Sequence, residues 1–443
     1  MELRDFIVTP IVIIIVYAVA FAIRSRVTDD INRVYFIPAL TVKIIGALAV
    51  GFIYQFYYDG GDTFNYHTHG SRHIWEAFMD SPEMGIRLLF NDGKNYEDVY
   101  AYASKIAFFS DPTSYAVVKI SAMFDLLTFS TYSATAILFS VFSFVGMWMF
   151  FLTFYERYPQ LHRWLAIAAF FIPSVFFWGS GLLKDTITLG ALGIATYQIS
   201  MIFINREKSL VRWLQLALSF YLLYTIKLYI LLTFLPAAIL WVFLANLQSI
   251  RSLVIKFMAF PFVICTALAL AYFAALTAGQ DNEKYALASL GKTAQVTAYD
   301  IRYWTGRDAG SGYTLGELDG TFGSMLRLAP QAINVTLFRP YLWEVNNSLM
   351  FMSALESFLL LILCLFTLIK KNIRLFLAAG NPEIFFSIIF SLTFAFAVGV
   401  STFNFGTLVR YKIPSLPFFL VAIVVMLYHS KRDTKLEVLE ITE

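Results

Sequence analysis

Long apolar runs, separated by polar segments, repeat along most of the chain. A helix of about 20 apolar residues is long enough to cross the hydrocarbon core of a bilayer. The runs 213–226 and 228–246 are short, and only Lys227 separates them. The pattern predicts eleven membrane-spanning helices, near residues 6–23, 36–57, 131–154, 164–179, 186–204, 213–226, 228–246, 257–278, 348–369, 384–403 and 413–429.

The basic residues favour one orientation of these spans. The alternate short loops and the C-terminal tail carry about half of the 33 Lys and Arg residues, which is typical of cytoplasmic segments. We therefore expect the N-terminus outside and the C-terminus in the cytoplasm. Two long segments, residues 58–130 and 279–347, then lie on the outer side, and any chemistry in water is expected there.

The first outer segment has apolar residues at helical spacing. They recur around His73–Phe90, around Tyr100–Phe109 and in the run VVKISAMFDLLTF, which includes Lys119 and Asp125. Helices with one apolar face commonly lie along the membrane interface. We expect interfacial amphipathic helices in the outer loops.

The composition supports the same class of protein. Hydrophobic residues make up 59% of the chain and charged residues only 14%, which is outside the range of soluble domains. The sequence therefore predicts an all-α polytopic membrane protein with one membrane domain, residues 1–443. It has no basic run that would indicate a nucleic-acid partner. Cys265 and Cys364 lie far apart inside apolar runs, so no disulfide framework is expected.

The most polar stretch beside an apolar run is YYDGGDTFNYHTHG, residues 57–70. Ionisable residues at the rim of the hydrocarbon are often functional. Asp62 is the candidate centre, because its carboxylate can accept a proton from a substrate hydroxyl as a general base. The alternative is structural, since Asp59 or Asp62 beside the glycine pair can cap the helix that follows.

His67 and His69 lie two residues apart in this stretch. On a helix they would point to different faces, so both can bind one metal only if the segment is extended. Because Asp59 and Asp62 are near, a divalent metal is one alternative. Solvated histidines, or histidines bound to a carboxylate, are the other. No further cofactor is indicated.

Further charged residues lie at the outer ends of non-adjacent spans. Basic residues there can simply extend to lipid headgroups. Together they can also line one outward-facing cavity, in which cations bind a phosphate and a carboxylate faces an acceptor. The candidates for this second role are Lys184, Asp185, Lys227, Arg339, Arg410 and Lys412.

Three segments resemble a known family. The D-x-x-D-x-x-x-Y pattern of Asp59, Asp62 and Tyr66 resembles the first outer loop of the polyprenyl-phosphate-sugar-dependent glycosyltransferases of the GT-C superfamily. The segments IPSVFFWGSGLLKDTITLGAL and LVRYKIPSLPFFLVAI are similar to a mid-chain span and the terminal span of that family. The resemblance covers well under half of the chain, and the acidic loop here follows the second span instead of the first.

This resemblance implies a function and a location. The loop acid of the family is the catalytic base, which implies Asp62 and, in second place, Asp59. Cations on the outer face engage the lipid phosphate, which implies Arg410. The partners would be a lipid-linked sugar donor, a glycan, lipid or protein acceptor, and membrane lipids. The expected location is a bacterial inner membrane, with the site facing the periplasm.

The same outer stretch also resembles the Wzy- or EpsG-type polysaccharide polymerases. Gly60, Asp62 and Tyr66 match their G-x-D-x-x-x-Y-like pattern, and Asp111 and Tyr115 match a D/E-P-x-x-Y step. Those enzymes likewise transfer sugar from a polyprenyl carrier, so only the acceptor differs. A transporter and a non-enzymatic envelope scaffold are the remaining alternatives.

Overall fold

The computed structural model describes residues 2–247, 296, 312–316, 321–378 and 381–442. Most of these residues are helical, and the isolated β-bridge found among them joins Gly312 to Asn404. Within the described ranges, seven helices are long and apolar enough to cross a membrane. An eighth span results if one bent helix pair is counted as a single span. The chain is therefore an all-α integral membrane protein.

The helices before residue 248 include long apolar helices and several shorter ones, most of which lie between residues 56 and 132. They are α1 (Leu3–Val27), α2 (Arg33–Phe56), α3 (Asp62–Tyr66), α4 (Arg72–Asp80), α5 (Pro82–Phe90), α6 (Tyr100–Ala103), α7 (Pro112–Thr128), α8 (Tyr132–Tyr155), α9 (His162–Phe170), α10 (Pro173–Trp178), α11 (Lys184–Ile199) and α12 (Leu210–Leu247).

The helices described after residue 320 include two of the membrane-length elements and the bent pair. They are α13 (Phe322–Arg327), α14 (Ala329–Phe338), α15 (Ser348–Ala378), α16 (Pro382–Thr402), α17 (Phe405–Tyr411) and α18 (Ser415–Thr442).

Most of the predicted spans coincide with membrane-length helices. This holds for residues 6–23, 36–57, 131–154, 186–204, 348–369 and 384–403. The predicted span 257–278 lies outside the described residues. The total of eleven spans and the orientation of the termini stay predictions.

The other predicted spans differ in detail from the structure. Residues 213–226 and 228–246 belong to one helix, α12, which is interrupted at Lys227, where φ is −145° and ψ is 76°. Residues 164–179 are divided between α9 and α10, because Pro173 disfavours helical backbone at the residue before it. The last predicted span, 413–429, falls largely within α18, which is bent by 63° from α17.

The predicted amphipathic helices of the first outer segment are present as α4, α5 and the short α6. Helix α7 is not a simple amphipathic helix, because the side that it buries is not purely apolar. Its buried side carries Ser114, Ser121 and Asp125 beside the apolar Val118. Polar side chains buried at helical spacing need partners inside the protein. The side chains of Ser121 and Asp125 find such partners within the first 152 residues.

The chain divides into two compact units, each built from several stretches of sequence. The first unit comprises Met1–Leu152, Ala169–Tyr197 and Trp213–Lys227, and the second comprises Thr153–Ala168, Gln198–Arg212 and Leu228–Glu443. The prediction of a single membrane domain stays a prediction.

In the first unit, α8 and α11 approach each other through glycines. A Cβ atom on Gly146 would lie 2.0 Å from the carbonyl oxygen of Gly190, and one on Gly193 would lie 2.2 Å from that of Gly146. Small residues allow this close backbone approach, which is common between membrane helices.

In the second unit, aromatic side chains fill the space between helices. Trp241 stacks on Phe386 with ring centroids 4.4 Å apart, and Phe390 meets Phe418 edge to face at 4.6 Å. Aromatic pairs at such distances contribute beyond the area they bury. Helices α12, α16 and α18 are held together by these contacts.

Candidate functional site

The polar stretch predicted as the centre begins with a sharp turn after α2. Asp59, Gly60 and Gly61 all have positive φ, at 51°, 125° and 116°. Residues with a side chain rarely adopt the φ values of positions 60 and 61, which explains why both are glycine. Aspartate tolerates the left-handed region at position 59 better than most residues do. The amide of Gly60 donates to the carbonyl of Tyr54 at 2.9 Å. Asp59 is exposed at this turn.

The turn opens onto a cavity of about 340 Å³ in the first unit. Ala47, Leu48 and Gly51 of α2 form an apolar wall, and these residues lie within the membrane-length part of that helix. Asp59 and His69 line the cavity from the segment that follows α2. The cavity thus combines an apolar wall from a membrane helix with ionisable groups from the loop that follows it.

The first residues of α1 and α8 complete the walls. Asp5 is buried, and its carboxylate accepts the amide of Ser133 at 3.0 Å and the amide of Glu2 at 2.7 Å. Glu2 in turn accepts a hydrogen bond from Arg72 at 2.6 Å. The start of α1, the start of α8 and the start of α4 are joined here by charged hydrogen bonds, which are stronger than neutral ones.

The helix after the turn is irregular where it lines the cavity. Residues His67–Ser71 form a π turn between α3 and α4, and His69 has non-helical φ and ψ of −99° and 16°. Turns of this kind are often found at functional sites. His69 is exposed to the cavity, whereas His67 and Ser71 point the opposite way and are fully buried.

The buried side of the π turn meets Asp125 of α7. Ser71 Oγ donates to Asp125 Oδ2 at 2.6 Å, and His67 Nε2 lies 3.3 Å from Asp125 Oδ1. The histidine contact has the distance of an ion pair but lacks the alignment of a hydrogen bond. Thr135 Oγ1 of α8 also donates to Asp125, at 2.6 Å. A carboxylate without exposed surface is stable here because donors surround it.

Asp62 occupies a different position from Asp59. It is half-buried at the first residue of α3, the N-cap is Gly61, and Asp62 is not among the cavity-lining residues. A carboxylate in the first turn is favoured by the helix dipole. Tyr66 is buried four residues later and packs on Phe108, with ring centroids 5.0 Å apart. Of the two predicted catalytic acids, Asp59 therefore lines the cavity and Asp62 does not.

The two histidines do not face a common point. His67 is buried against Asp125, and His69 is exposed, as their spacing on a helix predicts. In the part of the chain that the structure describes, no group of three or more His, Cys, Asp or Glu side chains is arranged to hold a metal ion.

The predicted cations of the first unit are engaged by acidic or polar groups. Lys184 Nζ donates to Thr113 Oγ1 at 2.6 Å and lies 3.7 Å from Asp111 Oδ2. Lys227 Nζ lies 2.5 Å from Asp185 Oδ1, and both side chains are almost wholly buried. Sequence reasoning selected Lys184, Asp185 and Lys227 separately, and the structure brings the last two together.

Three predicted cations lie in the second unit. The fully buried Lys412 donates to Ser357 Oγ at 2.8 Å and to the carbonyl of Arg339 at 3.4 Å. The Arg339 guanidinium pairs with Glu344 and lies 5.1 Å from the ring centre of Phe405. Arg410 is half-buried in α17, two residues before Lys412. These three cations therefore belong to neighbouring segments of one unit.

The environment of Arg339 also affects titratable neighbours. Partial burial alone would raise the pKa of Glu344, but hydrogen bonds from Arg339 and from the Tyr341 amide, and the charge of Arg339, lower it. Burial raises the pKa of Tyr313, whose ring Arg339 also approaches, to about 12. Glu344 is therefore an anion, and Tyr313 a neutral phenol, at ordinary pH.

Sequence reasoning missed Asp125, Glu2 and Arg72 as parts of the site. Asp125 had a signal, because a carboxylate within the apolar run VVKISAMFDLLTF needs a buried partner. Glu2 and Arg72 had none, since a charged residue at the end of a helix is usually solvated.

Comparison with protein-family models, with curated proteins and with solved structures gives no match for this chain. An exposed carboxylate, an imidazole and an apolar wall around one cavity can hold an amphipathic ligand and accept a proton from it.

Proposed function

We propose that the protein is an integral membrane glycosyltransferase. It takes a sugar from a polyprenyl phosphate or diphosphate and transfers it to an acceptor on the outer face of a bacterial inner membrane. The observation that carries this proposal is the position of Asp59 on a cavity whose inner wall belongs to the membrane helix α2. An amphipathic donor requires such a combination of apolar and polar walls.

The reaction assigns a definite role to Asp59. Its carboxylate takes the proton of an acceptor hydroxyl while the hydroxyl oxygen attacks the anomeric carbon of the sugar. The bond from that carbon to the phosphate oxygen breaks, and the phosphate leaves with the electron pair. Asp59 is favoured over Asp62 because Asp59 lines the cavity and Asp62 occupies the first turn of α3.

The leaving phosphate gains negative charge, which nearby cations stabilise. Arg72 lines the same cavity as Asp59 and is the proposed phosphate-binding residue of the first unit. A polysaccharide polymerase would use the same chemistry with a growing glycan as acceptor.

The test compares Asp59→Asn with Asp62→Asn in the full chain. The purified protein is placed in liposomes with undecaprenyl phosphate that carries radiolabelled glucose, mannose or arabinose, and with a membrane extract as the acceptor source. Asp59→Asn should lower the turnover by about 10²- to 10⁴-fold, as loss of a general base does. Asp62→Asn should retain most of the activity.

Asp98→Asn is the matched control. Asp98 lies in the same outer segment, also has positive φ, at 63°, and does not line the cavity. Asparagine tolerates this backbone as well as aspartate does. Full activity in Asp59→Asn, or no transfer of any of the three sugars by the wild-type protein, would contradict the proposal.

Transport of a lipid-linked sugar is the second candidate function, because two helices are interrupted. α12 breaks at Lys227, and α17 and α18 are bent by 63°. Interrupted membrane helices line the substrate sites of many transporters. A transporter should move a fluorescent lipid-linked sugar between leaflets, lose this activity in Lys227→Met and keep it in Asp59→Asn. The glycosyltransferase proposal expects no such movement.

A further inference from the structure

We infer that Asp125 is the positioning residue that sets the geometry of the cavity. It does not line the cavity. Its carboxylate instead binds the rear of two cavity walls, the π turn His67–Ser71 and the first turn of α8. The inference concerns the cavity itself and rests on the proposed function only for its effect on turnover.

On the first wall, Asp125 holds both ends of the π turn. Ser71 donates to Oδ2 at 2.6 Å, and His67 lies 3.3 Å from Oδ1. The two residues are four positions apart, close to one π turn, so both side chains reach the same carboxylate. The intervening Thr68 and His69 are thereby directed to the cavity, which both of them line. Irregular backbone of this kind persists only where its surroundings determine it.

Close packing behind the π turn also restricts its position. A Cβ atom on Gly70 would lie 2.5 Å from the carbonyl of Asn65 and 3.1 Å from Val118 of α7. The carbonyl of His69 accepts the amide of Ala107 at 2.8 Å. The turn is therefore fixed by backbone contacts as well, and Asp125 supplies the buried polar contacts of its two end residues.

On the second wall, Asp125 holds α8. Thr135 donates to Oδ1 at 2.6 Å, and Tyr132 and Ser133, three and two residues earlier, line the cavity. Thr135 also bonds to Thr128 at the end of α7, at 2.6 Å. One carboxylate therefore sets the spacing between the helix that carries His69 and the helix that carries Tyr132.

Both carboxylate oxygens of Asp125 accept hydrogen bonds in this arrangement. Two hydroxyl groups donate to the carboxylate, and an imidazole nitrogen lies at ion-pair distance. Asparagine has nearly the same shape but replaces one acceptor oxygen with a donor, which would face a hydroxyl or the imidazole. The hydroxyl that faces the new NH2 group can no longer donate to this side chain and its present hydrogen bond is lost, so the walls should separate locally.

The test measures the opening of each wall with cysteine reporters in the full chain. Cys265 and Cys364 are first replaced by serine, and then Thr68→Cys reports on the π turn and Ser133→Cys on α8. The rate of reaction with a charged maleimide is measured in detergent. Asp125→Asn should accelerate labelling at both reporters by about fivefold or more, the factor that corresponds to loss of one hydrogen bond.

A third reporter separates local opening from general unfolding. Ser140→Cys lies deeper in α8, is fully buried and bonds only within its own helix. Its labelling rate should not change in Asp125→Asn. If all three reporters accelerate equally, Asp125 is a general stability residue and the inference is wrong. Unchanged rates at Thr68→Cys and Ser133→Cys would also overturn it.

Two further variants test the inference if Asp125→Asn does not fold. Thr135→Val removes one bond to the carboxylate and should accelerate Ser133→Cys alone, whereas Thr128→Val disturbs the same cluster without touching Asp125 and should accelerate neither reporter. In the transfer assay, Asp125→Asn should reduce kcat more than it raises KM. The labelling results hold whether or not the protein transfers sugar, so failure of the proposed function and failure of this inference are distinguishable.

Discussion

Lys227 Nζ lies 2.5 Å from Asp185 Oδ1, at the point where α12 is interrupted and α11 begins. Asp185 is 1% exposed and Lys227 is 6% exposed. Two opposite charges buried together compensate each other, whereas either one alone in apolar surroundings is strongly unfavourable. The pair therefore connects the break in α12 to the first turn of α11.

Removing one member of this pair should destabilise the protein more than removing both. Asp185→Leu or Lys227→Met alone should lower the free energy of unfolding by about 3 to 5 kcal/mol, because each leaves a buried charge. The double variant should lose less than either single one. Urea unfolding in detergent, followed by circular dichroism, measures these differences. Strictly additive losses would show that the two side chains act independently.

Asp111 should give stability that disappears in acid. Partial burial alone would raise the pKa of Asp111, but the hydrogen bond from Ser114, the charge of Lys184 and the bonds from Thr113 lower it below its ordinary value of 3.8. A carboxylate with a lowered pKa stabilises the folded state above pH 3.8, and this contribution is lost as the pH falls below that value.

The unfolding midpoint measured between pH 6 and pH 3 tests this direction. Asp111→Asn should be less stable than the wild type at pH 6, and the difference should shrink as the pH approaches 3. Lys184→Met removes the nearby charge and the bond to Thr113 but keeps the bond from Ser114, so it should reduce the pH-dependent difference without abolishing it. A difference between wild type and Asp111→Asn that does not change with pH would exclude this role for the carboxylate.

The glycine pair beside Asp59 should not tolerate a side chain. Gly61→Ala combines positive φ with a Cβ atom 3.0 Å from the Tyr54 ring, and Gly60→Ala has the positive φ but open space around it. Each should lower the free energy of unfolding by about 1 to 3 kcal/mol, and Gly61→Ala by more. Gly323→Ala, inside α13 and without a close neighbour, should instead be neutral or stabilising. Thermal unfolding of the three variants gives the order.

Much of the fold follows from local sequence. The apolar runs place α1, α2 and α8, because a bilayer requires a fixed length of apolar helix. The glycine pair predicts the sharp turn before α3, because only glycine readily adopts its backbone. The spacing of His67 and His69 predicts that they face opposite ways, and they do.

The rest of the site depends on contacts between distant residues. Asp125 lies 54 residues after Ser71, and Asp185 lies 42 residues before Lys227. Neither partner has a local feature that identifies the other, so the sequence predicts Lys227 and Asp185 only as separate candidates for one outward-facing cavity. The π turn also has no sequence signal, because its extra residue is stabilised by contacts with α7 and not by propensity.

The Lys43 side chain links membrane assembly to the order of synthesis. It is fully buried within α2, donates to Ser143 of α8 at 2.9 Å and to the carbonyl of Gly179 at 2.8 Å, and these partners follow it by 100 and 136 residues. A lysine at the centre of a membrane helix opposes insertion by about 2.5 to 3.5 kcal/mol. The amine of α2 therefore meets these partners only after α8 and the segment around Gly179 have been made.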